Sequence, residues 1–298
     1  MIAVFGHRGA RGLLPENTLA GFALAEHMRL TGVELDIAVT ADGIPVAHHD
    51  PRLNPEIARG NSGAYVGGDA PFISALTFQQ LNLYDVGRLR AGSDYAARFP
   101  EQIPRDGARI PALGELLAAC PASDFLVEVK TYPDHPEATL APKRLVEEVV
   151  RVLQGANRIG ATMLCAFDWQ VLEAAALLAP ALRRCCLTAP ETVKRPELWF
   201  GKTSLEASGG SVPRAVASTG AMAWAPFHET LGAAGMDEAR RLGLTVLAWT
   251  VNEAEDIHRM IDLAVDGIIS DRPDRVKTIL AGRGTKMAPP GFVAGPRG

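Results

Sequence analysis

Short apolar runs recur along the chain at intervals that leave room for a helix between them. They are Ile2 to Phe5, Val33 to Val39, Phe125 to Val129, Met163 to Phe167, Arg184 to Leu187, Ala221 to Ala225, Leu244 to Trp249 and Gly267 to Ile269. Runs this short, rich in β-branched or bulky apolar residues, predict buried strands. Between most of them apolar positions fall three or four apart, over Thr18 to Met28, Lys143 to Leu153, Gln170 to Leu178, Asp237 to Leu242 and Ala254 to Leu263. That spacing predicts helices, and strand-helix alternation implies parallel pairing. Asn17 and Asn252 stand close before two of the helical stretches, where each is expected to act as the N-terminal cap.

From about Asp42 to Pro111 the alternation breaks. Gly, Pro and Asn recur there and only Thr77 to Tyr84 has a helical pattern, so the stretch is expected to be an insertion. It opens with Asp42-Gly43 between two β-prone runs, a hairpin signal at the end of the second strand. At the far end, Gly282 to Gly298 carries five Gly and three Pro in seventeen residues. So little apolar surface predicts a loose tail after a folded unit spanning 1–281.

The 298 residues fit two domains or one (β/α)8 barrel with an insertion. A composition of 47% hydrophobic and 21% charged residues excludes a disordered chain. The formal charge of −4 leaves no basic excess to neutralise a nucleic-acid backbone, so no nucleic-acid partner is expected. The longest apolar stretch, Leu172 to Leu182, is broken by Glu173 and Pro180, far short of the ~20 residues a transmembrane helix needs. MIAVFGHRGA does not read as a signal peptide, which suggests a cytoplasmic location. Cys120, Cys165, Cys185 and Cys186 show no CxxC spacing and are expected to be free core thiols.

Polar residues of particular types gather at strand ends. Glu34 and Asp36 are two apart on the second strand, so both carboxylates aim to one side while Leu35 packs on the other. Glu128 and Lys130 repeat this on the third. In a barrel the functional face lies where the strands' C-terminal ends meet. Three oxygen-donor acids there suit a hard cation, Mg²⁺ or Ca²⁺, better than Zn²⁺. An ion-pair network of Glu34 and Asp36 with Lys130 and Arg8 accounts for them equally well when they are taken alone. Two imidazoles favour chemistry: His7 after the first strand and His49 after the hairpin, a pair able to exchange protons near neutral pH. Alternation along Pro45 to Asp50 puts His48 and His49 on opposite faces, and His49 is taken as the one facing the mouth, with Asp50 orienting the turn. His27, His135, His228 and His258 are expected at the surface.

The ordered segments HRGARGLLPENT, VELDIAVTADGIPVAHHD, VEVK, AWTVN and DGIISDRPD resemble the motifs of the glycerophosphodiester phosphodiesterases over nearly the whole chain. The resemblance implies a (β/α)8 TIM barrel with a small insertion after the second strand. It also implies hydrolysis of a small-molecule glycerophosphodiester to sn-glycerol 3-phosphate and an alcohol. Residue by residue, it makes His7 and His49 the general acid and base, Glu34, Asp36 and Glu128 the ligands of one divalent cation, and Arg8 and Lys130 the phosphate contacts. In such enzymes a glycerol hydroxyl attacks phosphorus and a cyclic phosphate is then opened by water. Glu16 and Asn17 take supporting places. Trp249 could form an apolar wall for glycerol or simply pack the mouth, and Phe167 is expected to line the same space.

After His49-Asp50 the chain runs PRLNPEIARG where many members carry Arg-Thr-Thr. The insertion, including Tyr65, Tyr84 and Arg88, is therefore expected to shape what the leaving alcohol meets. Two rival readings are a sphingomyelinase D-like phospholipase and a noncatalytic phosphoester-binding barrel. The first is disfavoured by the lack of an export signal or an apolar loop cluster, the second by two imidazoles beside an acidic site.

Overall fold

The computed structural model describes residues 1–293 of the chain. Among these, nine strands form one sheet: β1 (Ala3–Gly6), β2 (Gly32–Val39), β3 (Pro45–Ala47), β4 (Asp124–Val129), β5 (Thr162–Ala166), β6 (Arg183–Thr188), β7 (Ala223–Pro226), β8 (Thr245–Ala248) and β9 (Gly267–Ser270). All but β3 pair in parallel around a closed ring, β1 meeting both β2 and β9. The fold is a (β/α)8 barrel. β3 pairs antiparallel with β2, Ile37 opposite Ala47 and Val39 opposite Pro45, so the Asp42-Gly43 hairpin forms where its sequence predicts.

Among the described residues twelve α-helices accompany the strands. They are α1 (Leu19–His27), α2 (Phe78–Leu81), α3 (Asp94–Arg98), α4 (Leu113–Ala119), α5 (Pro142–Gly155), α6 (Trp169–Leu178), α7 (Pro190–Lys194), α8 (Pro196–Trp199), α9 (Val212–Ser218), α10 (Ala233–Arg241), α11 (Ala254–Asp262) and α12 (Pro273–Gly282). None is long and apolar enough to cross a membrane.

Strand alternation sorts the core into two layers. Ala3, Phe5, Leu126, Cys165, Leu247 and Ile269 fill the barrel interior, while Val4, Leu35, Val127, Leu164, Val246 and Ile268 pack outward with the helix-facing core. The period of two then carries the inner face past the strand ends. Phe5 leads to His7, Leu126 to Glu128 and Lys130, Cys165 to Phe167, Leu247 to Trp249, and Ile269 to Asp271.

The two asparagines expected to cap helices do not. Thr18 caps α1, its hydroxyl accepting from the Gly21 amide, and Glu253 holds the cap position of α11. Asn17 instead donates to Asp36 and Asn252 to Asp271, because a buried carboxylate needs donors more than a helix end needs one acceptor.

The insertion has a core of its own, including Leu53, Ile57, Leu81 and Ile110. Its expected helix over Thr77 to Tyr84 shortens to α2, opened by a Thr77–Gln80 capping box. Helix α3, which lacks an apolar stripe, escapes the periodicity.

The tail also departs from expectation. Residues 285–293 close the base of the barrel: Ala288 and Val293 are buried there, and Phe292 packs edge-on to Phe5 at 6.2 Å. The Ala288 amide donates to Ile2 O, and Asp124 accepts from the amides of Gly291 and Val293. Few but well-placed apolar side chains and a carboxylate with two donors order a segment whose composition reads as loose. Residues 294–298 of the expected tail lie outside the described residues. Val293→Ala is expected to lower unfolding stability by about 2 kcal/mol, from two lost methyls and the cavity they leave. Urea denaturation measures it; an unchanged midpoint would show that the strap does not contribute.

Candidate active site

The first strand ends in a reversal that only particular residues permit. A Cβ on Gly6 would meet Gly9 O at 1.8 Å, and Gly9 sits at φ +88°. Arg8, between them, is itself at φ +50°, a costly conformation for a residue with a side chain. It is held there because its amide donates to Glu34 Oε2 at 2.9 Å and its guanidinium is gripped twice. Nη1 donates to Glu16 at 2.9 Å, and Nε lies 3.0 Å from Asp36 Oδ2.

His7 directs Nδ1 at Asp271 Oδ1, 2.6 Å away, with Nε2 3.7 Å from Glu34. Asp271 also accepts from Arg11 and Asn252. Although burial opposes its charge, Arg11 and His7 hold its carboxyl far below the usual range. An ionised carboxylate can only accept, so the His7 proton resides on Nδ1 and Nε2 faces the cavity. His49 repeats the arrangement: Nδ1 is 2.8 Å from Asp50 Oδ1, and Asn54 steadies Asp50 through its other oxygen. Tyr132 donates to the His49 carbonyl at 2.7 Å. Burial lowers the pKa of both rings, that of His49 to about 4 with Lys130 and Arg8 adding to the effect. His48 turns away, its Nε2 3.0 Å from Arg52 O.

Glu34, Asp36 and Glu128 each bring a carboxylate oxygen within 4.8 Å of the others. Lys130 Nζ contacts Glu128 at 2.5 Å and lies 3.5 Å from Asp36. Burial, then Asp36 and Glu128, raise the Glu34 pKa well above the carboxylate range. Asp36 is held well below it against burial, chiefly by Arg8. Glu34 Oε1 and Asp36 Oδ1 are buried without a hydrogen-bond partner. Two orphaned acceptors in an all-oxygen donor set fit a hard divalent cation.

These residues share a cavity of about 240 Å³ lined by His7, Arg8, Glu34, His49, Glu128, Lys130, Phe167 and Trp249. Asp36 lies just beneath, with no exposure. Phe167 and Trp249 meet edge to face at 5.2 Å. A larger groove of about 630 Å³ over α6 contains none of these groups.

Sequence reasoning missed three contributors. Asp271 lies inside the quoted DGIISDRPD segment, but its role as the partner of His7 requires β1 and β9 to be neighbours. Arg11 and Arg98 also line the cavity, whereas Tyr65, Tyr84 and Arg88 of the insertion do not. Tyr65 instead donates to Arg88 O, and Arg88 pairs with Asp106 at the surface. His228, expected at the surface, is buried with Arg259 3.0 Å from its Nδ1, because the short turn after β7 folds it inward.

The chain is similar to known proteins along nearly its whole length. Residues 7–275 match the profile of the glycerophosphoryl diester phosphodiesterase family. The glycerophosphodiester phosphodiesterase of Caldanaerobacter subterraneus is 25% identical over 276 residues, covering 91% of this chain and 94% of the relative. Among solved structures, a Silicibacter pomeroyi protein assigned as a glycerophosphoryl diester phosphodiesterase superposes with a TM-score of 0.86 at 34% identity, covering 97% of this chain and 96% of its own. An Oleispira antarctica phosphodiesterase, solved with the product sn-glycerol-3-phosphate, shares the fold at a TM-score of 0.69 and 20% identity, over 94% of this chain and 96% of its own. With a family match spanning the barrel and a cavity built at its mouth, the chain belongs to the glycerophosphoryl diester phosphodiesterase family.

Proposed function

We propose that this chain hydrolyses glycerophosphodiesters to sn-glycerol 3-phosphate and an alcohol, with His7 and His49 as acid and base. The carrying observation is that both imidazoles, each anchored through Nδ1 by a carboxylate, line one cavity with Glu34 and Glu128. Glu34, Asp36 and Glu128 would hold one divalent cation, Mg²⁺ or Ca²⁺. Such an ion, when bound, offsets charge on the phosphoryl oxygens. Arg8 and Lys130 add fixed positive charge beside the same oxygens. Phe167 and Trp249 give the glycerol carbons an apolar wall.

In the first step the glycerol 2-hydroxyl oxygen bonds to phosphorus, one imidazole Nε2 takes its proton, and the other protonates the departing alcohol oxygen. In the second, water adds to the cyclic phosphate with the roles reversed, and the ring oxygen leaves as the restored hydroxyl. No protein atom becomes bonded to phosphorus. Four buried thiols, with no disulfide among the described residues, support a reducing compartment such as the cytoplasm.

The test is product identity across a panel of choline, ethanolamine and glycerol esters assayed with Mg²⁺, Ca²⁺ and Mn²⁺. Glycerol 3-phosphate is expected from every ester turned over, because the attacking hydroxyl belongs to the glycerol. Release of free glycerol with a phosphorylated head group would contradict the scheme. A substrate lacking the 2-hydroxyl is expected to be inert.

The lowered histidine pKa values predict a pH effect. The base must be neutral and the acid protonated to act, and burial moves the titration of both rings below that of an ordinary imidazole, at about 6.5. The acid limb of kcat/KM is therefore expected below that value. A limb above pH 7 would contradict the assignment.

A further inference from the structure

Four cations line the cavity, and three are matched by carboxylates. Arg8 lies against Asp36 and Glu16, Arg11 against Asp271, and Lys130 against Glu128. Arg98, the fourth, comes from the last turn of α3, and among the described residues no carboxylate lies within ion-pair distance of it. Its guanidinium carbon instead sits 4.5 Å from the centre of the Tyr95 ring. That ring is a fixed platform. Tyr95 is buried, its hydroxyl donates to Glu16, and Arg11 Nη1 donates back to it at 3.1 Å. Arg98 is exposed, yet its head is partly pre-positioned, so less rotamer freedom is lost when it binds.

Arg98 also borders a second hollow of about 300 Å³ beside the first. It thus stands between the inner cavity and that hollow. In the reading above, the phosphodiester sits at Arg8 and Lys130 and the glycerol carbons at Phe167 and Trp249. A leaving alcohol that runs from there toward the neighbouring hollow meets Arg98.

We propose that Arg98 sets leaving-group specificity, favouring alcohols that carry a carboxylate or phosphate over those that do not. A guanidinium donates two parallel hydrogen bonds to such a group, and a head group bearing only an ammonium brings like charge to the same place. This inference rests on the phosphodiesterase reading and goes beyond it in naming the alcohol.

The test compares glycerophosphoserine with glycerophosphoethanolamine, which differ by one carboxylate. The wild-type ratio of kcat/KM values is expected to favour the serine ester by about tenfold, the scale of a charge-assisted contact, and to shrink with added salt. Arg98→Ala is expected to bring the ratio to about one, Arg98→Lys to keep part of it, and Arg98→Glu to invert it. A ratio identical in wild type and all three variants would overturn the proposal, as would an equal fall for both esters, which marks a merely structural role. Turnover of neither ester by the wild type would overturn the phosphodiesterase reading itself, a result distinct from lost selectivity.

Discussion

His7→Ala and His49→Ala are each expected to lower turnover by about 10²- to 10⁴-fold, the scale of a lost general acid or base. The double variant should cost less than the product of the two losses, since the rings act as a unit. Folding is expected to survive both changes. Asp271 keeps Arg11 and Asn252 when His7 is removed, and the His49 side chain is already 32% exposed. Circular dichroism and thermal melting of the variants separate the two effects. The informative control is the neighbouring ring. His48 is buried and points at Arg52 O, so His48→Ala should cost some stability and little turnover. Near-normal rates in either catalytic variant would remove that ring from proton transfer, and an essential His48 beside a dispensable His49 would shift the strand phase by one residue.

Stripping divalent ions with EDTA is expected to suppress hydrolysis by about 10³-fold or more. Three buried acids with oxygens within 4.8 Å of one another repel unless a cation lies between them, and charge stabilisation worth several kcal/mol converts at 1.36 kcal/mol per tenfold. Mg²⁺ or Ca²⁺ should restore the rate. Glu34→Gln and Glu128→Gln should weaken ion binding, seen by calorimetry independently of turnover. Asp36→Asn should do the same and also loosen Arg8, which lies 3.0 Å from that carboxylate. Full activity in EDTA would take the cation out of the chemistry and leave the acids as partners of Arg8 and Lys130 alone.

What could be read from the chain without coordinates follows the range of the signal. Glu34-Leu35-Asp36 and Glu128-Val129-Lys130 declare their shared side because strand alternation is local, and the same rule separated His49 from His48. Asp271 and Tyr95 are different. One reaches His7 across 264 positions and the other reaches Glu16 across 79, and no periodicity reports which loops a closed ring brings together. Asn17 and Asn252 misled because a cap is a local inference, and buried carboxylates elsewhere in the chain claimed their donors. The C-terminal strap misled because composition averages over a segment, whereas ordering depended on Val293, Phe292 and two amides reaching Asp124.

The hairpin-borne segment has its own apolar centre at Leu53, Ile57, Leu81 and Ile110. It reaches the cavity through few side chains. Away from Ala38 and Val46, which join this centre to β2 and β3, its interior can therefore be rebuilt by laboratory recombination with little disturbance of the strands that carry the acids and rings. A graft boundary set outside Asp94–Gln102 would preserve the joint formed by Tyr95 on Glu16 and Gln102 on Arg11 O. A boundary inside it would cut that joint and release the turn after β1 that carries Arg8 and Arg11.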